Sequence, residues 1–188
     1  MILFTPMQVP RHKHALATLG NYIYAIGGEV ADKAYSNIVE RFNFNSKGWE
    51  YVAPTIYERS FSKVTVSTNS NKLFVFGGCM SNDHNSIVEI YDCHDNKWSL
   101  LGIDTGDSPL ILKEPFNCNK SFVVMVEGNI NTLIQPLDKD DRPLFNDFDD
   151  KILVITYDNL RFPAPSIFVI NIEKESLGEV VYDKEGSD

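Results

Sequence analysis

The chain has 188 residues, of which 43% are hydrophobic, 23% charged and 12% aromatic; such a composition is typical of a folded globular protein. Its formal net charge of -9 would repel phosphate groups, so we expect neither nucleic acid nor a membrane surface as a partner. The chain has three scattered cysteines and lacks the roughly 18 consecutive apolar residues of a membrane span. With no secretory signal at its start, we expect a cytoplasmic protein.

The first hundred residues contain short segments with the pattern of β-strands. "YIYAI" is an apolar run of strand length between Asn and Gly, and "VERFNF" alternates apolar and polar residues, as in a strand with one covered face. The pattern predicts four strands over 14–52 and four more over 62–101. The first four are "HALATL", "YIYAIGG", "NIVERFNF" and "GWEYV"; the second four are "SKVTVS", "KLFVFGG", "SIVEIYD" and "KWSLL".

These two groups of strands are copies of one unit. Three landmarks recur at shifts of 48 to 50 residues, which a chance match of one short string would not produce. They are an arginine, a double glycine and a tryptophan: Arg11 and Arg59, Gly27-Gly28 and Gly77-Gly78, Trp49 and Trp98. Glycines at a strand end permit close backbone approach or positive φ, and one tryptophan per unit supplies a large apolar body to pack between units.

The arginine, double glycine and spaced tryptophan resemble the kelch repeat. The resemblance implies an all-β fold, a kelch-type β-propeller with about three to four four-stranded blades, incomplete or degenerate. We expect a single propeller, or a fragment of one, over 1–188, with blades at 11–52 and 59–101 and one or more degenerate blades within 108–183. A single blade cannot cover both of its faces, so several must stack.

The second half of the chain is harder to interpret. "KSFVVMVEGN" aligns as a third copy of the double-glycine strand and places such a strand at 121–128. "DKILVITYDN" (150–159) is a fourth candidate and continues into "SIFVINIEKESLGEVV" (166–181), which echoes "SIVEIYDCHDNKWSLL" without the glycines or the tryptophan. Two interpretations remain: a shortened blade, or a long insertion at 121–150 inside one final blade. Closure of the predicted propeller into a ring of blades also has two interpretations. Either further blades belong to a longer propeller, or "MILFTPM" closes the ring as an outer strand.

Two loops vary between the copies while their flanks repeat, which is typical of a scaffold with exchangeable binding loops. They are "EVADKAYS" (29–36) and "CMSNDHNS" (79–86). The candidate partner-binding residues in them are Glu29, Asp32, Tyr35, Ser81, Asp83 and His84. Arg11, Arg41 and Arg59 are interpreted first as structural residues that bind backbone carbonyls, and second as anchors for a partner.

Other candidate sites fit known chemistry poorly. The acidic segment 138–150 lacks the ligand spacing of a calcium loop, because Arg142 and Pro143 occupy the critical positions. His12, His14, His84 and His94, with Cys79 and Cys93, match no zinc spacing, and no nucleophile or phosphate-loop motif is present. We therefore expect no catalytic residues, no metal and no cofactor.

These observations predict a non-catalytic scaffold that binds protein partners through its inter-strand loops. A narrower hypothesis is substrate recognition for a ubiquitin ligase, since many kelch proteins join a propeller to a BTB domain. No BTB domain is recognisable here, so that role requires a longer polypeptide. A third hypothesis, an enzyme on a kelch-like propeller, requires a convergent cluster of Tyr, His and Cys.

Overall fold

A computed structural model describes residues 5–78 and 87–101 with their side chains, and the backbone of four more strands between 121 and 180. The chain divides into two compact units, Met1–Asn119 and Lys120–Asp188.

The first sheet of unit 1 is an antiparallel meander in the order β1-β2-β3-β4. Its strands are β1 Ala15–Leu19, β2 Tyr22–Ile26, β3 Val39–Asn43 and β4 Gly48–Tyr51. Tight turns join β1 to β2 and β3 to β4, with left-handed backbone at Gly20 (φ +57°) and Lys47 (φ +57°). A longer loop with a tight turn at Ala31–Lys33 joins β2 to β3.

The second sheet repeats the first in strand order, as β5-β6-β7-β8. Its strands are β5 Lys63–Ser67, β6 Lys72–Phe76, β7 Val88–Asp92 and β8 Lys97–Leu100. Asn71 and Asn96 take the left-handed turn positions, which asparagine tolerates better than most residues. All eight strands predicted from the repeat are confirmed, and so is the all-β fold built from blade-like four-stranded sheets.

The core of unit 1 lies between these two sheets. Because side chains alternate along a strand, one face of β2 (Tyr24 and Ile26) and one face of β6 (Leu73 and Val75) contribute to the same buried cluster. The cluster also contains, from both sheets, Ala15, Ala17, Leu19, Val39, Tyr91 and Trp98. Small residues on β1 leave room for the aromatic residues of the neighbouring sheet, so each sheet covers a face that the other could not cover by itself.

Unit 2 contains a third four-stranded antiparallel sheet, in the order β9-β10-β11-β12. Its strands are β9 Ser121–Val126, β10 Lys151–Thr156, β11 Ser166–Asn171 and β12 Ser176–Val180. The alignment of 121–128 with the double-glycine strand was wrong, because Ser121–Val126 is an edge strand, in the first position of the sheet. Lys151–Thr156 holds the second position, with Ser121 opposite Thr156.

Within the described residues, 121–180 contributes one four-stranded sheet, whose first and second strands are separated in the sequence by residues 127–150. The shortened blade and the insertion at 121–150 both stay predictions. Apolar alternation located the strands, but with no double glycine to anchor the alignment it could not fix their positions. No helix within the described residues is long and apolar enough to cross a membrane.

Candidate functional site

Sheets 1 and 2 share one end at which most of the predicted site residues lie, here called the loop edge. It comprises the segment entering β1 (10–14), the β2–β3 loop (27–38) and the segment entering β5 (52–62). The antiparallel order brings these segments together, since β1 and β3 start, and β2 and β4 end, at the same edge. Several main-chain hydrogen bonds join the sheets here; among them, Phe61 N–H donates to the Lys13 carbonyl (2.9 Å) and Arg59 N–H to the Ser36 carbonyl (3.1 Å).

The double glycines allow the chain to pass close to its neighbours at this edge. Gly27 (φ +62°) and Gly28 (φ +111°) are both in the left-handed half of φ space. A Cβ on Gly27 would lie 2.4 Å from the Arg59 carbonyl oxygen, and one on Gly28 would lie 2.7 Å from that of His12. The Gly28 amide donates to the same Arg59 carbonyl (2.8 Å), so the first double glycine forms a junction between the two sheets.

In the second copy, Gly77 (φ +52°) and Gly78 (φ +109°) adopt the same backbone. A Cβ on Gly78 would lie 2.5 Å from the Ser60 carbonyl oxygen. The same packing problem is therefore solved in the same way in both repeats.

The first repeat arginine is buried and binds the main chain. Arg11 donates from Nε to the Gly27 carbonyl (2.9 Å) and from Nη2 to the Ala25 carbonyl (3.0 Å). Its Nη1 also pairs with the Glu40 carboxylate, and both side chains are fully buried. The Glu40 carboxylate also accepts hydrogen bonds from the main-chain amides of Gln8 (2.7 Å) and Val9 (3.2 Å).

The second copy reproduces this network. Arg59 donates to the Gly77 carbonyl (2.9 Å) and pairs with the buried Glu89 carboxylate. Glu89 in turn accepts the amides of Ile56 (2.6 Å) and Tyr57 (3.2 Å). Each buried charge therefore has a partner of opposite charge and further hydrogen bonds, as burial requires. Both arginines are structural in this geometry and are not exposed to a partner.

The two glutamates were not identified from the sequence, although a signal was present. Glu40 and Glu89 stand at the same place in the repeated "IVE" of β3 and β7. A charged residue repeated inside a strand with a covered face indicates a buried partner, and the repeat arginine was available as that partner.

The repeat tryptophans bind equivalent carbonyls. Trp98 is 6% exposed, and its Nε1 donates to the Ala53 carbonyl (2.7 Å). Trp49 is half-buried and donates in the same way to the Thr5 carbonyl (2.9 Å). Each tryptophan thus fixes the segment that leads into the first strand of its own sheet, which is β5 for Trp98 and β1 for Trp49.

The β2–β3 loop carries the described candidates for partner contact. Asp32 and the neighbouring Lys33 are exposed at its tip, and Tyr35 is half-buried. Glu29 differs from the expectation of an exposed contact residue, because it is 5% exposed and its carboxylate is bound by the Lys13 ammonium at 2.9 and 3.0 Å. The Lys13 ammonium keeps the pKa of Glu29 below its usual value.

The second predicted loop, with Ser81, Asp83 and His84, lies outside the described residues, as do Cys79 and the acidic segment 138–150. Arg41, the third arginine considered, lies away from the loop edge. It pairs with Glu50 (2.7 Å) and stacks on the Tyr22 ring (4.1 Å to the centroid).

A tyrosine and a cysteine meet in the core between the sheets. The Tyr24 hydroxyl lies 3.7 Å from Cys93 Sγ. Burial raises the pKa of both groups, so both are protonated at neutral pH. In the part of the chain with described side chains, no three His, Cys, Asp or Glu residues are placed to hold a metal ion.

The kelch motif matches at residues 10–55 and 61–102. The RING finger domain and kelch repeat-containing protein of Dictyostelium discoideum is 32% identical over 80 residues, covering 43% of this chain and 8% of that protein. Human Kelch-like protein 15 is 33% identical over 86 residues, covering 46% of this chain and 14% of that protein.

A third relative, Kelch-like protein 25 of Xenopus tropicalis, is 31% identical over 104 residues, covering 50% of this chain and 17% of that protein. The chain therefore corresponds to a small part of each relative's length. The two motif matches coincide with the two sheets of unit 1 and include Arg11, both glutamates and both double glycines, while Arg59 lies between the matches. Residues 10–102 of this chain therefore contain two kelch motifs.

Proposed function

We propose that this protein is a non-catalytic kelch scaffold that binds a protein partner through the loop edge of its first two sheets. The observation that carries the proposal is the contrast between a repeated, buried framework and an exposed loop that does not repeat. The arginine–glutamate pairs and double glycines are the same in both copies. The tip of the β2–β3 loop, with Asp32 and Lys33, is exposed and differs in sequence from its counterpart.

The loop edge also presents apolar surface suited to a protein interface. Phe61 is 38% exposed and Ile56 is 46% exposed, and both lie in the segment that enters β5. Tyr35 adds a half-buried aromatic ring from the β2–β3 loop. Aromatic and aliphatic anchors surrounded by polar groups are typical of the central residues of protein interfaces.

The proposal is tested by cross-linking and affinity purification of the whole chain from its native cells. The loop variant Asp32→Ala/Lys33→Ala/Tyr35→Ala is compared with a control at the opposite end of the sheet, Asn45→Ala/Lys47→Ala. We expect the loop variant to lose partners that the control retains. Partners that are retained by the loop variant and lost by the control would place the interface elsewhere.

A role in substrate recognition for a ubiquitin ligase is the second hypothesis. The names of the relatives favour it, since one of them combines a RING finger domain with kelch repeats. It predicts that a cullin-type or RING-type ligase subunit co-purifies with the full-length protein. If partners co-purify without any ligase subunit, the ligase hypothesis is wrong and the scaffold proposal stands.

The proposal includes the cytoplasmic location predicted from the sequence. Imaging of the tagged full-length protein tests it, and a signal confined to a secretory compartment would contradict it.

A further inference from the structure

We infer that Lys13 and Glu29 form a latch that holds the β2–β3 loop in one conformation, so that both are positioning residues for the proposed interface. The inference rests on the proposed function only in treating this loop as a contact surface. The latch itself is a property of the free protein and can be tested without a partner.

The loop has a conformation that its own sequence does not favour. At its tip, Asp32 (φ +61°) and Lys33 (φ +59°) are two consecutive left-handed residues, and neither is glycine. Such a pair resembles a type I′ turn, for which Asn-Gly is the preferred sequence. Four main-chain hydrogen bonds close the loop, among them those from the Val30 amide to the Ala34 carbonyl (3.0 Å) and from the Ser36 amide to the Gly28 carbonyl (2.9 Å). An unfavourable tip needs support from its surroundings to remain ordered.

Glu29 supplies that support at the base of the loop. Its main chain is bonded to His12 in both directions, at 2.8 and 3.0 Å. Its buried carboxylate accepts both bonds from Lys13 and lies 3.4 Å from the Ser60 hydroxyl and 3.4 Å from His12 Nε2. A single side chain therefore connects the loop to the entering segments of both sheets.

Lys13 is held on a second side by the neighbouring repeat. Its ammonium lies 4.7 Å from the centre of the Phe61 ring, and its carbonyl accepts the Phe61 amide (2.9 Å). A cation over an aromatic face is attracted to it, so Phe61 restricts the position of the ammonium that binds Glu29. The latch thereby includes residues of both copies.

The comparison of the two copies indicates that this contact is not part of the repeat framework. The arginine–glutamate pair occurs in both repeats, whereas the positions of Lys13 and Glu29 are occupied by Phe61 and Cys79 in the second. Both members of the pair have changed from charged to apolar types. An ion pair at these positions is therefore specific to the first copy, where it connects the β2–β3 loop to the segments entering β1 and β5.

Amide hydrogen exchange of the full chain, measured residue by residue by NMR, tests the latch. In Lys13→Met and Glu29→Gln, we expect exchange at the Val30 and Ser36 amides to rise about tenfold, the effect of losing one charge-assisted hydrogen bond. Amides inside β2 and β3 should be unchanged. Glu50→Gln, which removes an exposed ion pair away from the loop edge, is the matched control and should leave the loop unaffected.

The charge-swapped variant Lys13→Glu/Glu29→Lys separates an ion-pair latch from a simple packing effect. We expect it to restore slow exchange at both loop amides, at least in part. Unchanged exchange in both single variants would overturn the latch, and so would a swapped variant as fast as the singles. If the latch passes this test while the loop variant of the affinity experiment retains every partner, the proposed function is wrong and the latch stands.

Discussion

Truncation of Glu89 to alanine gives the most decisive test of the buried framework. The Glu89 side chain is fully buried, pairs with Arg59 and accepts the amides of Ile56 and Tyr57. Glu89→Ala leaves the Arg59 guanidinium buried without its carboxylate. Removing one partner of a buried ion pair costs about 3–5 kcal/mol of folding free energy, because an uncompensated charge remains.

The double variant Arg59→Met/Glu89→Leu removes both charges and replaces them with apolar groups. It should cost much less than Glu89→Ala, since apolar replacement of a whole buried pair is often nearly neutral. A large favourable coupling free energy between positions 59 and 89 would identify this ion pair. Glu50→Ala is the exposed control, because its carboxylate is half-exposed, and it should cost less than about 1 kcal/mol.

Urea unfolding followed by tryptophan fluorescence measures these free energies, since Trp98 lies in the same sheet as Glu89 and is 6% exposed. The equivalent variant of the first copy, Glu40→Ala, should behave like Glu89→Ala, because Arg11 and Glu40 form the same network. A loss of unfolding free energy below about 1 kcal/mol for Glu89→Ala would refute the reasoning. So would a double variant whose loss equals the sum of the losses measured for Arg59→Met and Glu89→Leu separately.

Three further predictions concern other parts of unit 1. Gly28→Ala should destabilise the fold by roughly 2–3 kcal/mol, because φ is +111° and a Cβ would lie 2.7 Å from a carbonyl oxygen; Gly20→Ala, with open space around it, should lose only about 1 kcal/mol in the same urea assay. Trp98→Ala should cost about 3–5 kcal/mol and Trp49→Ala clearly less, since Trp98 is the more deeply buried, and equal losses would contradict this. Burial raises the pKa of Tyr91 to about 12, so the neutral phenol stabilises the fold below pH 10 and this contribution is lost as pH rises from 10 to 12. The unfolding free energy should therefore fall less between pH 10 and pH 12 in Tyr91→Phe than in the unmodified protein. An equal fall in both proteins would show that Tyr91 does not titrate on unfolding.

The buried pairs show why the site could be predicted only in part. The sequence contained both arginines and both glutamates, but each pair joins residues 29 or 30 positions apart. Strand patterns are local and do not show which charges meet. Glu29 illustrates the same limit, because its place in a variable loop predicted an exposed contact, while the fold buries it against Lys13.

The sequence by itself determined the strands, their grouping into repeats and the family, because side-chain alternation and the spacing of glycine and tryptophan are properties of short segments. It placed all eight strands of the first two sheets. For the third sheet it located the strands and left their positions open, since no double glycine marks the second strand. Only the tertiary structure decided that Ser121–Val126 is an edge strand, and that the double glycine is needed because the carbonyl of Arg59, from the neighbouring sheet, lies where a side chain would be. Contacts between segments that are distant in the chain depend on how the sheets pack, and that packing is decided by the whole fold at once.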